Sequence, residues 1–304
     1  MLWGKVQGAG GTGGGGSFPW GDRGLTGGGF SPNSNKSDIN YVSIPTTSNA
    51  AFFGNLTLAR NNLSSCSSGS RAVFAGGATL SSLQTIDYVT ASTLGNATSF
   101  GSLTAAKSDF SACSSTTRGV FSPSPSAQTN YDYITIATTG NAVSFATSPS
   151  SYFGGAACSD GSRGVFGGGI VSSSFSSQIY YITISTTGSV STFGQLTVAR
   201  SRSGACASSS RGIFAGGVNS ATYYSTIDYI TIATTGNATS FGNLSNSLAY
   251  LGGASNGIRG VFSGGYKNYY YNNIDYITIS TTSNAVDFGD LTSAIAFVAS
   301  SSGS

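Results

Sequence analysis

Hydrophobic and polar residues alternate over short stretches of this chain, and each stretch ends in a turn signal. Residues 227–232, IDYITI, are rich in β-branched and aromatic side chains and alternate with a period of two. They lead into Thr-Thr-Gly-Asn at 234–237, a combination that closes β-hairpins. The pattern predicts a β-strand followed by a tight turn.

This stretch belongs to a unit that recurs six times. Each copy contains variants of Arg-Gly-apolar-Phe-x-Gly-Gly, then Asp-Tyr-Ile-Thr-Ile, then Gly-Asn-Ala-x-x-Phe-Gly-x-Leu-Thr, and finally a segment of small residues. The copies start near residues 23, 71, 118, 163, 211 and 259. No window of the unit has the 3.6-residue apolar period of a helix. Six copies with a period of 45–48 residues indicate a repeat architecture.

Each copy provides four short strands. We name them A (small residues), B (ending at the Gly-Gly pair), C (Tyr-Ile-Thr-Ile) and D (Phe-Gly-x-Leu). Four strands per unit of this length predict an all-β fold, a six-bladed β-propeller with four-stranded blades. A β-solenoid is the alternative, although four distinct strands per period fit it poorly.

The ends of the chain predict how the ring closes. Residues 1–22 form a glycine-rich N-terminal arm, and residues 23–304 form the propeller. The first copy lacks a good strand A, because Pro19 cannot donate a hydrogen bond within a central ladder. The segment 294–299, AIAFVA, aligns better with that slot. We therefore expect the C-terminal strand to pair with the first blade and close the ring.

The order of these landmarks resembles the kelch repeat, which has a double glycine, a tyrosine and a tryptophan in the same sequence. Phenylalanine replaces the tryptophan here, so the chain is similar to a divergent kelch family member over about residues 23–300. Its Gly-, Ser- and Thr-rich copies also resemble kelch-like virion proteins of tailed bacteriophages, including marine and cyanobacterial ones. That resemblance implies a virion protein present in several copies per particle, with other virion proteins as partners.

The composition argues against catalysis. The chain has no histidine and no glutamate, and only 8% of its residues are charged, with a net charge of +3. Histidine-dependent nucleophilic triads are therefore impossible, and a glycosidase would need two convergent aspartates. We expect a non-enzymatic protein with no cofactor and no metal. We expect neither nucleic-acid binding nor membrane insertion, and synthesis in the host cytoplasm without a signal peptide.

Four cysteines occupy one position of strand A. They are Cys66, Cys113, Cys158 and Cys206, with Ala254 and Ala299 in the last two copies. Their convergence on the centre of the ring would permit a metal site. The favoured interpretation is that cysteine acts as a small buried hydrophobic residue that alanine can replace.

Comparison of the six copies separates a constant scaffold from variable loops. The C–D turns change little, whereas the B–C loops at 30–37, 78–85, 122–130, 170–178, 218–226 and 266–273 share almost nothing. Variable loops on a constant scaffold usually carry recognition. The D–A loops should lie on the same face. The candidate binding residues are Tyr223, Tyr224, Tyr266, Lys267, Tyr269, Tyr270, Tyr271, Arg200 and Arg202, with Trp3 on the arm as a docking anchor.

Other recurrent residues are interpreted as scaffold. The arginine before each strand B is expected to bond turn carbonyls, and Asp87, Asp132, Asp228 and Asp275 are expected to stabilise turns. Trp20 is expected to cap the first blade. The function predicted is a structural or interaction protein of a bacteriophage tail that docks through a propeller face or the arm. The alternative is a propeller that binds a host-surface carbohydrate or receptor through its tyrosine-rich loops.

Overall fold

The computed structural model describes residues 18–126, 129–148 and 150–303. Over these ranges the protein is all-β and contains no helix. Its main elements are antiparallel four-stranded sheets, each with the strand order A-B-C-D. We number these sheets 1 to 6 by the position of strand B in the chain. Trp3 and most of the N-terminal arm lie outside the described residues.

The strand bounds repeat from sheet to sheet. In the order A, B, C, D, sheet 1 has Ala299–Gly303, Arg23–Gly27, Asp38–Ser43 and Ala51–Asn55, and sheet 2 has Ser64–Ser67, Arg71–Ala75, Leu83–Thr90 and Thr98–Lys107. Sheet 3 has Ala112–Ser114, Arg118–Phe121, Asn130–Thr135 and Val143–Thr147, and sheet 4 has Ala156–Ser159, Arg163–Gly167, Gln178–Thr183 and Ser191–Gln195. Sheet 5 has Gly204–Ala207, Arg211–Ala215, Thr226–Thr231 and Thr239–Asn243, and sheet 6 has Gly252–Ser255, Arg259–Ser263, Asn273–Thr278 and Val286–Asp290.

Short hairpins extend the B–C connections beyond four of these sheets. Phe30–Ser31 pairs with Ser34–Asn35, Val218–Asn219 with Thr222–Tyr223, and Tyr266–Lys267 with Tyr269–Tyr270. Above sheet 4, Ile170–Val171 pairs with both Tyr152–Phe153 and Ser174–Phe175. The loops that vary most between copies are therefore partly structured hairpins.

Strand A of sheet 1 is Ala299–Gly303, which comes from the C-terminal part of the chain as expected but overlaps the predicted segment 294–299 only at Ala299. It pairs antiparallel with Arg23–Gly27, so that Ser301 lies opposite Leu25. Cys66 lies opposite Val73 in the same way. The residue in the cysteine position of the last copy is therefore Ser301, and its assignment to Ala299 was wrong by two residues. A slip of two keeps the same face of a strand inward, so alternation alone did not reveal the error.

Adjacent sheets pack through apolar side chains. Val73 and Phe100 of sheet 2, for example, join Phe121 and Ile134 of sheet 3 in one buried cluster. Each strand A lies beside the strand A of the next sheet, and Gly252–Ser255 lies beside Ala299–Gly303.

Two recurrent polar groups join one sheet to the next. The Arg211 guanidinium stacks on Tyr229 of its own sheet and donates from Nη1 to the carbonyls of Ile279 and Ser280 in sheet 6. All six arginines stack in this way, at 4.3–4.9 Å from the tyrosine ring centroid. The arginines are scaffold that bonds turn carbonyls, as expected, and those carbonyls belong to the neighbouring sheet.

The constant C–D turns also bond to the preceding sheet. Asn237 in the turn of sheet 5 accepts a hydrogen bond at Oδ1 from the N–H of Gln195, the last residue of strand D in sheet 4, at 3.1 Å. Ala238 then donates its N–H to the carbonyl of the same glutamine at 2.8 Å. This contact explains why Gly-Asn-Ala changes little between copies while the B–C loops diverge.

The double glycine at the end of strand B is required by the backbone. Gly216 and Gly217 both have positive φ, 66° and 109°. A Cβ on Gly217 would lie 2.8 Å from the carbonyl oxygen of Ser201. Glycine is the residue that accepts both this backbone region and this close approach. The described residues also contain no helix long and apolar enough to cross a membrane.

Candidate functional site: the loop face

Six residues of the D–A loops form a ring of backbone hydrogen bonds. We call Asn62, Asp109, Gly154, Arg202, Tyr250 and Phe297 the central ring. Each of the last five donates its N–H to the carbonyl of the preceding member, at 2.6–3.0 Å, and Asn62 donates to Phe297 at 3.0 Å. The six bonds thus return to their starting residue, and every member contributes one donor and one acceptor.

All six members have left-handed backbone conformations, with φ between 52° and 63°. This region is uncommon for residues other than glycine, and of the members besides Gly154 only Asn62 and Asp109 are of types that favour it. Arg202, Tyr250 and Phe297 adopt it because the hydrogen bonds on both sides fix the peptide. The backbone is therefore constant at this ring, whereas the side chains are all different.

The B–C hairpins are anchored to the D–A loops beside the central ring. Ser201 and Val218 exchange backbone hydrogen bonds at 2.9 Å, and Ala249 and Tyr266 do the same at 3.2 and 2.8 Å. Similar antiparallel bridges join the B–C and D–A connections in other copies. Hairpins and loops thus lie on one face, as expected. We call it the loop face.

A salt bridge crosses the central ring. Arg202 Nη2 lies 2.7 Å from Asp109 Oδ2, and the side chains are 21% and 17% exposed. The residue between them in the ring is Gly154, and a Cβ there would lie 3.5 Å from the Asp109 carboxylate. Because glycine has no side chain, the guanidinium reaches the carboxylate across it. Both charged groups line a depression of about 70 Å³ together with Asn62, Tyr250 and Phe297.

The rings of Tyr250 and Phe297, which line this depression, belong to a larger cluster of aromatic rings. We call Phe30, Tyr223, Tyr250, Tyr266, Tyr270 and Phe297 the aromatic arc. Tyr266 lies at the centre of the arc, because its ring centroid is 5.2 Å from that of Tyr270, 6.3 Å from that of Tyr223 and 6.4 Å from that of Phe297. Phe297 lies 4.1 Å from Tyr250, whose ring lies 5.1 Å from the Arg202 guanidinium carbon. All six rings are partly exposed.

Three phenols of the arc, those of Tyr223, Tyr250 and Tyr270, ionise at a higher pH than a free tyrosine does. Partial burial raises the pKa of Tyr223, Tyr250 and Tyr270, and Arg202 opposes the rise at the first two. The arc therefore offers apolar ring faces and uncharged hydroxyls. With Arg202 and Asp109 neutralising each other, the depression has little net charge.

The structure brings most of the predicted residues to the loop face. Arg202 lines the depression, and Tyr223, Tyr266 and Tyr270 belong to the aromatic arc beside it. Tyr269 and Tyr271 stack on each other at 4.7 Å, and burial raises the pKa of Tyr271 to about 12. Tyr269 is 62% exposed at the tip of its hairpin.

Two further predicted residues lie beside the arc rather than within it. Lys267 is partly exposed on the same hairpin, and Tyr224 bonds its N–H to the carbonyl of Gly217. Trp3 lies outside the described residues.

Arg200 is not a surface binding residue. It is fully buried and pairs through Nη2 with Asp228 Oδ2 at 3.1 Å, across the seam between sheets 4 and 5. Burial lowers the pKa of its guanidinium and Asp228 opposes that change. Arg60 with Asp87 and Lys107 with Asp132 form the same fully buried pair at other seams. Asp87, Asp132 and Asp228 are therefore partners in ion pairs between sheets, and not merely turn residues.

The remaining seams show what replaces the ion pair. Tyr152 takes the cation position opposite Tyr180, with ring centroids 5.8 Å apart. At the seam where Ile295 occupies the cation position, the aspartate position holds Asn40, which accepts a hydrogen bond from Thr292. In both seams the two partners change together. The exception is Asp275, which is discussed below.

The four cysteines lie around one pocket between the A strands. All four are buried and free, and each sulfur packs against the glycine after the arginine of the next sheet, as Cys66 does at Gly119. Burial raises the pKa of Cys66 and Cys158 to about 12. Among the described residues, no cluster of three or more metal-ligating side chains is found. This packing agrees with the interpretation of cysteine as a small buried hydrophobic residue.

The N-terminal segment lies at the other end of the A strands. Pro19 and Trp20 line a pocket there with the second halves of those strands, from Ser65–Ser67 to Ser301 and Ser302. Phe18 stacks on Trp20 with ring centroids 4.6 Å apart. Trp20 therefore contacts several copies, and does not merely cap the first one.

Sequence reasoning missed five members of the site: Phe30, Asn62, Asp109, Tyr250 and Phe297. A signal was present, because the residue four positions before the cysteine position, which is Ser301 in the last copy, differs in every copy. Variation at one repeat position marks a surface site when the backbone around it is constant.

In comparisons with known proteins, no family model matches the chain and no curated protein is significantly similar to it.

Proposed function

We propose that the six sheets form a closed six-bladed kelch-like β-propeller that binds another molecule through its loop face and performs no catalysis. Closure is supported by the neighbouring A strands, by the pairing of Ala299–Gly303 with Arg23–Gly27, and by the hydrogen bonds of the central ring. The absence of histidine and glutamate from the chain supports a non-enzymatic role.

One observation carries the binding function. The aromatic arc and the Arg202–Asp109 pair meet on the loop face, where the copies differ in sequence. The C–D turns, in contrast, bond to neighbouring sheets and change little between copies. Partly exposed aromatic rings around a few fixed polar groups are typical of ligand and protein-binding sites.

The setting we propose is a bacteriophage virion. It rests on the resemblance of the repeated copies to kelch-like virion proteins of tailed phages. In this setting several copies of the chain per particle would be attached to other virion proteins, by the N-terminal arm or by the face that carries Trp20. The loop face would then remain free for recognition of the host surface.

Mass spectrometry of density-banded phage particles tests the virion setting. We expect peptides of this chain to band with the particles in a constant ratio to the tail proteins. Recovery of the chain only from host extract, with none in the particles, would overturn the virion assignment.

Binding of labelled protein to host cells tests the loop face. Replacement of Tyr266 and Tyr270 by alanine should abolish most of the binding. Ile170→Ala is the matched control, because Ile170 also follows a Gly-Gly pair, in sheet 4, outside the arc. Equal binding by all three proteins would show that the arc is not the contact surface.

A further inference from the structure

We infer that the aromatic arc and the Arg202–Asp109 pair form a carbohydrate-binding site. This inference rests on the proposed function, since it requires the loop face to be the recognition face. It goes further by naming the chemical class of the ligand.

The rings lie on one side of the loop face only. They come from the B–C hairpins of sheets 1, 5 and 6 and from the two D–A loops that precede sheets 6 and 1. The positions equivalent to Tyr266 in sheets 2 and 4 hold Ala78 and Ile170. A ligand at the depression therefore meets the charged pair together with Tyr250 and Phe297, and the other rings of the arc continue beside them. A sugar suits both kinds of group, because a pyranose has apolar C–H faces that contact aromatic rings and hydroxyl groups that bond to charged side chains.

The polar groups are held before any ligand arrives. The backbones of Asp109 and Arg202 are fixed by the central ring, and their side chains fix each other at 2.7 Å. The Asp109 carboxylate uses Oδ2 for this contact. Its second oxygen and the guanidinium edge thus provide an acceptor beside donors, an arrangement that suits adjacent hydroxyl groups. Groups held in place in this way lose little conformational entropy on binding.

The charge of the site favours an uncharged ligand. Arg202 is neutralised by Asp109, and the tyrosines are neutral. Lys36 and Lys267, on the B–C connections of sheets 1 and 6, are the lysines near the arc among the described residues. Nucleic-acid binding depends on several unpaired cations that contact phosphates. The depression has a volume of only about 70 Å³, so we expect it to receive part of a sugar, such as one polar edge, while the rest lies on the aromatic arc.

Gly154 provides a specific test of this geometry. Gly154→Asn should keep the fold, because Asn62 occupies the equivalent backbone position with φ of 52°, close to the 63° of Gly154. The new side chain would lie beside Asp109 and fill the space that glycine leaves across the salt bridge. The aromatic arc would be unchanged, so that a loss of binding would identify the polar half of the site.

The experiment uses the full chain on an array of bacterial surface polysaccharides, with labelled binding to host cells in parallel. We expect specific polysaccharide binding, weakened at least about tenfold by Tyr266→Ala with Tyr270→Ala and by Gly154→Asn. Ile170→Ala should bind as the unmodified protein does. Thermal unfolding of each variant checks that it is folded. If the Gly154→Asn variant does not fold, Arg202→Lys provides a second test of the polar half of the site.

Treatment of the cells with periodate or with proteinase K distinguishes the carbohydrate inference from the proposed binding function of the loop face. Binding that is lost after periodate oxidation and survives proteinase K supports a carbohydrate ligand. Cell binding that survives periodate but not proteinase K, together with an empty array, would overturn the carbohydrate inference and leave the loop-face function standing. Absence of binding to both the array and the cells would overturn the inference and the proposed function together.

Discussion

Asp275 is the residue that departs from the pairing seen at other seams. It is 2% exposed and accepts hydrogen bonds from the N–H and the hydroxyl of Ser245, each at 2.8 Å. The position that holds a cation at three other seams is occupied by Leu248, and no ion pair to Asp275 is found among the described residues. Its carboxylate thus depends on hydrogen bonds alone.

Leu248→Arg should therefore stabilise the protein. Leu248 packs against Gly265 as the Arg200 side chain packs against Gly217, so an arginine would direct its guanidinium to Asp275. Because the carboxylate is already buried, we expect a gain in the free energy of unfolding of about 1 kcal/mol. Urea denaturation followed by tyrosine and tryptophan fluorescence would measure it.

Ile295→Arg is the matched control for this substitution. Ile295 occupies the position equivalent to Leu248, but the residue opposite it is Asn40, which carries no charge. An arginine at this position would therefore be buried without a carboxylate partner. We expect a loss of about 3 kcal/mol or more. An equal loss in both variants would show that the seam does not distinguish a carboxylate from an amide.

The buried cysteines predict a specific dependence on alkaline pH. Burial raises the pKa of Cys66 and Cys158 to about 12, from a value near 9 in the unfolded chain. Because the folded-state pKa is the higher one, this contribution to stability is fully present below about pH 9 and is lost as the pH rises towards 12. The free energy of unfolding should therefore fall more steeply above pH 9 in the native protein than in Cys66→Ala with Cys158→Ala.

Thiol labelling provides an independent readout. Iodoacetamide at pH 8 should react with the folded protein only as fast as the protein unfolds, since the thiols are buried and protonated. Rapid labelling of any of the four in the folded state would contradict their burial. The alanine variants are expected to fold because Ala254 occupies the equivalent position in sheet 6.

At the scale of the structural element, the D–A loop shows how one constant backbone presents different side chains. Tyr250 has φ of 61° and is held by hydrogen bonds to Arg202 and Phe297. Tyr250→Val should lower the free energy of unfolding by about 1–2 kcal/mol, because a β-branched residue is strained in this region. Tyr250→Asn should cost less, since Asn62 adopts the same conformation. Equal losses in a thermal unfolding assay would mean that packing, not backbone strain, dominates.

The strands were largely predictable from the sequence, whereas the contacts between sheets were not. Alternation and turn signals in 227–237 concern neighbours along the chain, and they predicted strand C and its turn correctly. Arg200 and Arg202 both follow strand D, and no local pattern shows that one is buried against Asp228 while the other reaches Asp109. These partners lie 28 and 93 residues away, so only the packing of the sheets decides between them.

Part of that missing information was present in the repeat itself. Copies with an arginine or lysine in the buried cation position are followed by an aspartate in strand C, whereas Tyr152 is followed by Tyr180. Paired changes of this kind indicate contact between copies. The aromatic arc needed the fold as well, because Phe30 and Phe297 lie near opposite ends of the chain.

At the scale of the whole molecule, the C-terminal strand completes the first sheet. Removal of residues 299–304 should leave Arg23–Gly27 as an exposed edge and should open the contact with Gly252–Ser255. Exposed edges promote aggregation, so we expect the truncated protein to be insoluble or oligomeric on size exclusion. Removal of Ser304 alone should have no effect. A truncated protein that stays monomeric and unfolds at the same temperature would contradict this role.

The hydrogen bonds of the central ring also determine the electrostatics of the loop face. A helix terminus has unpaired N–H or C=O groups and therefore a partial charge, whereas the six members pair the N–H and C=O groups that they turn towards one another. If the loop face binds a ligand as proposed, these paired backbone groups would attract neither anions nor cations, and selectivity would depend on the side chains of the five members other than Gly154. Substitution of a single member would then change what is recognised, while the peptide framework that holds it stays the same.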